Sequence, residues 1–121
     1  MRWLMPSEAA HRRAAEVNED LAADLLASRP EWAVVVTFYS ALHLVDTFLA
    51  RSGIHPTSHT DRERLIARTQ LRPIYAEYRR LNTRSREARY DLRSFTAREA
   101  RALLTGELAG IKAHVAGLLQ P

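Results

Sequence analysis

The sequence predicts an all-α fold, an antiparallel up-and-down bundle of four principal helices plus one short helix. Three observations predict it. Apolar residues recur at three- and four-residue spacing in four long stretches, which lays a stripe along one face of a helix. Several stripes begin where a serine or threonine stands three residues ahead of a glutamate, the pattern of a capping box. No stretch alternates apolar and polar residues between turn signals, so nothing calls for a sheet. The 121 residues read as a single domain.

The first helix begins after Ser7, a suitable N-cap, and carries Ala10, Ala14, Val17, Leu21 and Leu25 until Pro30 forbids continuation. "SRPE" restarts the pattern, with Ser28 and Glu31 as a capping box and the proline in the first turn. Val35, Phe38, Leu42, Val45 and Leu49 form the stripe of this second helix, and Gly53 closes it. "GIHPTSH" is a loop. Thr60 with Glu63 then opens a short helix through Leu65 and Ile66. Pro73 stops or kinks that helix and starts the next, where Ile74, Tyr78, Leu81, Ala88 and Leu92 keep one register, interrupted near "NTRS". Thr96 and Glu99 box the last helix, whose stripe is Ala100, Leu104, Leu108, Ile111, Val115 and Leu118.

With 46% hydrophobic and 26% charged residues, the chain has the composition of a folded globular domain. No uninterrupted apolar run approaches the ~18 residues of a membrane helix. "MRWLMPSEAAHRR" does not read as a secretory signal, because its apolar part is short and charge follows at once. A cytoplasmic protein with no membrane contact is expected. Cysteine is absent, which excludes disulfides, thiolate metal sites and a cysteine nucleophile. Net charge is +4, carried almost wholly by arginine, with Lys112 the one lysine. Eight arginines (79, 80, 84, 86, 89, 93, 98 and 101) face only Glu87, Asp91 and Glu99 across that segment, a surplus of five. Such a surplus serves either as a solvated face or as a phosphate-binding surface.

Three of the five histidines lie between Thr37 and Arg62. Tyr39, His43 and Asp46 sit at i, i+4 and i+7 of the second helix, a polar stripe beside the apolar one. No serine or threonine nucleophile stands beside His43 by sequence, and a histidine bordering a core stripe is ordinarily structural. His55 and His59 have the spacing of a helical ligand pair, but Pro56 argues against a helix there, so no metal and no cofactor are expected.

"FYSALHLVDTFLARSGIHPTSH" resembles the aromatic-small-small-apolar-His helix, then Gly, then Ser-His, of small stand-alone HEPN-domain proteins. "SREARYDLRSFTAREARALLTGELAGI" is similar to a second signature of that group, through Arg86, Ala88, Arg89, Tyr90, Asp91 and Thr96, with Arg89 where an acidic residue is usual. The resemblance implies a helical bundle that forms homodimers, often beside a nucleotidyltransferase, in a superfamily tied to RNA metabolism, toxin–antitoxin pairs and defence. Its ribonuclease members carry an arginine, four to six residues, and then a histidine. That spacing is missing here: Arg51 precedes His55 by three intervening residues and His59 by seven.

Two functional readings follow. The first is a non-catalytic HEPN-like module that dimerises and binds a protein partner, a nucleotide or RNA. Its binding residues would be Arg79, Arg86, Arg89, Arg93 and Tyr90. Tyr39, His43, Asp46, His59 and Asp91 would be structural polar groups, His59 at the entrance of the short helix and Tyr90 with Asp91 at the turn before the last. The alternative is a metal-independent ribonuclease with His43 or His59 as general base and Arg62, Arg86 or Arg89 steadying the phosphate.

Overall fold

The computed structural model describes residues 6–120; the apolar opening of the "MRWLMPSEAAHRR" stretch lies outside the described residues. Among these the chain is all-helical, with no strand. The helices are α1 (Glu8–Leu25), α2 (Pro30–Arg51), α3 (His59–Arg68), α4 (Tyr75–Tyr90) and α5 (Ala97–Leu119), with a 3₁₀ turn at Arg72–Ile74. Bonds at both ends of α2 set the directions. Arg51 meets Glu8 while Ser40 donates to the Ala15 carbonyl, so α1 is antiparallel to α2. Glu31 accepts from the Phe95 amide and Arg51 donates to the Leu119 carbonyl, so α5 runs parallel to α2. Arg80, early in α4, pairs with Glu107 while Arg93, just beyond its end, approaches Glu99 near the start of α5, so α4 is antiparallel to α5 and therefore to α2. The four long helices therefore alternate in direction.

α2 is the centre. Its whole expected stripe is buried, and so are Ala33, Val34, Ala41, Thr37, Ser40, Asp46 and Thr47. A helix apolar on most faces has neighbours on most faces, and α1, α4 and α5 supply them. Both α2 and α5 have the length and mean hydropathy of a possible membrane span. For α2, burial inside the bundle accounts for that apolarity; for α5, exposed Ala102, Ala109, Ala113 and Ala116 contribute much of it.

Several expected registers shift. On α1 the buried residues are His11, Ala15 and Ala22, whereas Val17 is 54% and Leu21 42% exposed. Small side chains face α2 because the helices approach closely there, as the 2.7 Å bond from Ser40 to a backbone carbonyl requires. Val17 and Leu21 of the expected stripe lie on a flank of α1 outside the core, while Leu25 packs half-buried against it. α4 runs unbroken through "NTRS": buried Tyr78 and Leu81 just ahead of it, and the bond from Asn82 to Glu63, outweigh the weak local propensity. Leu92 lies beyond α4, 85% exposed, in a left-handed conformation with φ 53°. On α5 a π turn over Leu103–Leu108 turns both of those leucines inward, five residues apart, and leaves Leu104 and Leu118 half-buried.

Two of the four expected caps form as expected. Ser7 accepts from the Ala10 amide, and Thr96 with Glu99 makes the full reciprocal box. Ser28 does not cap α2; Arg29 holds that position without a side-chain bond, because Glu31 is turned to the Phe95 amide. Thr60 does not cap α3 either. Ser58 does, accepting from Asp61, while Glu63 serves Asn82 and Arg79. Gly53 ends α2 at φ 72°, the conformation glycine adopts without strain.

Candidate functional site

The polar flank of α2 gathers partners from three other helices. Asp46 is buried and accepts two bonds from Arg62 of α3, Nε to Oδ1 at 2.8 Å and Nη2 to Oδ2 at 3.1 Å. Two parallel bonds make this a bidentate pair, the strong form of the interaction. Asp46 therefore serves Arg62 and does not orient His43, its neighbour on the helix. His43 instead faces His11 of α1, with the two Nδ1 atoms 3.1 Å apart. Loss of hydration lowers both imidazoles' pKa values; for His43 the next cause is the charge of His11. Tyr78 of α4 lies fully buried nearby, its hydroxyl without a hydrogen-bond partner among the described residues. Burial pushes that phenol far up, out of any catalytic range.

A second cluster lies on the outer side of this one. Arg89 donates to the Tyr39 hydroxyl at 3.0 Å and stands over the Tyr39 ring at 5.6 Å and the Tyr90 ring at 5.0 Å. Arg86 also lies over the Tyr90 ring, 5.7 Å from its centroid. Tyr90 is 67% exposed. His59, the first residue of α3 and itself exposed, packs its ring 6.1 Å from Phe38. Partial loss of hydration, then the charges of Arg62 and Arg89, lower its pKa. A neutral imidazole, two guanidiniums and an open aromatic ring thus share one neighbourhood.

Four more arginines of the surplus are paired with glutamates, and Arg98 and Arg101, like Arg86 and Arg89, make no ion pair among the described residues. Arg79 pairs with Glu63, Arg80 with Glu107, and Arg84 and Arg93 with Glu87. Arg93 also approaches Glu99 and covers Phe95 at 4.6 Å. Arg98 and Arg101 lie exposed on the first turns of α5. Among the described residues, Arg86 and Arg89 make no ion pair with a carboxylate. Asp91 is exposed, outside the buried polar cluster, and the turn before α5 is closed by backbone: the Asp91 and Arg93 amides both reach the Glu87 carbonyl at 3.1 Å.

His11 lies one residue off the stripe that the larger aliphatics of α1 suggest, so its spacing does not mark it as a core contact. The pattern His11, Ala15, Ala22, Leu26 was available, but alanines give a faint hydrophobic signal. No group of three or more His, Cys, Asp or Glu side chains among the described residues is placed to hold a metal ion. Comparison of the chain with protein-family models, with curated proteins and with solved structures gave no match.

Proposed function

We propose that the chain is a HEPN-like helical module that dimerises and binds single-stranded RNA without cleaving it, at the surface formed by His59, Arg86, Arg89 and Tyr90. The observation that carries this reading is an exposed tyrosine ring flanked by two guanidiniums that no carboxylate neutralises. Unpaired arginines hold phosphates, and an open ring takes an unstacked base. Arg89 is already held by Tyr39, so little freedom is lost when a phosphate arrives. The HEPN-like arrangement is supported by the meeting of the two resembling stretches, fifty residues apart in the chain, at the Tyr39–Arg89 bond. The dimer reading draws on exposed apolar side chains, Val17, Leu21, Trp32 and Leu92 among them. The missing arginine–histidine spacing is the reason for assigning binding rather than cleavage.

The test is fluorescence anisotropy with a labelled single-stranded RNA at about 50 mM salt, where phosphate contacts are strongest. Tyr90→Ala should weaken binding about 5- to 150-fold, the equivalent of one stacked base. No binding by the wild type would contradict the RNA reading and favour a protein partner, such as a nucleotidyltransferase, on the same arginines.

One observation favours the ribonuclease as a second reading: exposed His59 has its pKa lowered by partial loss of hydration and then by Arg62 and Arg89, which suits a general base, and Arg89 has no carboxylate partner among the described residues. Chelator-insensitive cleavage of the same RNA, lost in His59→Ala, would establish it. Intact RNA after prolonged incubation supports the binding module.

A further inference from the structure

We infer that His11 and His43 form a proton-sharing latch that seats α1 on α2 and releases it in mild acid. The inference is independent of the RNA reading. α1 packs chiefly on α2, and its inner face is small, with Ala15 and Ala22 beside His11. The two Nδ1 atoms stand 3.1 Å apart with ring centroids at 5.3 Å. At that separation one nitrogen must carry the hydrogen and the other must accept it. The contact tolerates two neutral rings in complementary tautomers, or one extra proton on the pair. A second extra proton places two N–H groups head to head and two like charges side by side, with His11 only 8% exposed to water.

Asp46 offsets only part of that second charge, and loss of hydration outweighs it at both rings. The charged and titratable groups toward it are Asp46 on α2, Arg62 on α3 and His55 in the connector. Asp46 has both carboxylate oxygens engaged by Arg62. Arg62 is a cation and adds to the repulsion. The remaining polar ties of α1 to the rest of the chain are the Ser40 bond to Ala15 and the ion pairs Glu8–Arg51 and Glu19–Lys112, both at the surface. Surface pairs of this kind contribute little. Glu8, held by its bond to Arg51, has its pKa lowered and stays ionised while the imidazoles titrate. Release removes one wall of a groove of about 400 Å³ that α1 and α5 form over Leu44 and Thr47.

Hydrogen exchange on the full chain tests the latch, with protection factors for α1 amides compared with those of α4 between about pH 7.5 and 5. Protection of α1 should fall relative to α4 by about tenfold for each unit by which the pair's pKa values together lie below the free imidazole value. His11→Gln and His43→Gln should each remove that selective fall. Should both variants fail to fold, nitrogen chemical shifts of the wild-type imidazoles give the same information: one Nδ1 protonated and the other bare at neutral pH. Equal loss of protection in α1 and α4, an unchanged α1, or two Nδ1 atoms in the same protonation state would overturn the inference.

Discussion

The Asp46–Arg62 pair and the exposed His59 lie close together but call for opposite expectations. Removing one partner of a buried ion pair leaves the other charged and unsatisfied, so Asp46→Ala should cost about 3–5 kcal/mol by chemical denaturation. His59→Ala should change stability by less than about 0.5 kcal/mol, because the ring is exposed and Ser58 does the capping. The same substitution should weaken RNA binding. The imidazole pair adds a pH dependence whose sign is fixed. Both pKa values lie below the ordinary 6.5, so the unfolded chain binds more protons, and stability present above that value is lost as pH falls through the lowered ones. Denaturation midpoints of the wild type should therefore drop from about pH 7 to 5, and those of His11→Gln should drop less. Tyr39, His43 and Asp46 were legible as one polar flank of a helix. Their partners were not, since helical spacing says which residues share a face and nothing of what a distant helix brings to it.

Helices read well wherever large apolar residues outnumber the alternatives on the other faces, and α2 and α5 meet that condition. Leu108 is fully buried, and Leu108→Ala should cost about 2–5 kcal/mol. α1 fails it: Val17 and Leu21 lie outside while Ala15 and Ala22 lie inside, so Val17→Ala should stay within about 0.5 kcal/mol. Thermal or urea unfolding of the two variants side by side separates the register found here from the one expected. The misplaced caps have one cause. Glu31 and Glu63 satisfy the local pattern, but each has a tertiary partner, the Phe95 amide and Asn82, and the contact across helices wins. The π turn of α5 was not legible either. A four-residue repeat run twice drifts around an ordinary helix, and whether the chain answers by exposing a leucine or by widening a turn depends on the neighbouring helix.

At the scale of the whole molecule, the all-helical class and the alternating directions of the four long helices follow from stripe count and short connections, both present in the sequence. The arginine surplus was legible as a count and misleading as a surface. Four of its members are neutralised by glutamates, and two keep their charge beside an open ring. Leu92 marks the same end of the molecule, an exposed leucine in a left-handed turn where glycine would be unstrained. Leu92→Gly should leave stability unchanged within about 1 kcal/mol, the left-handed penalty and the entropy of glycine roughly cancelling. In analytical ultracentrifugation it should loosen the proposed dimer. The central claim is that Arg86 and Arg89 contact phosphate, and the salt dependence of RNA affinity tests it most directly. Between about 50 and 200 mM salt, the log–log slope should be about −0.7 per phosphate on a single strand, and Arg86→Gln should flatten it by about that one contact. An Arg86→Gln protein that binds with the wild-type affinity and the wild-type slope would contradict it.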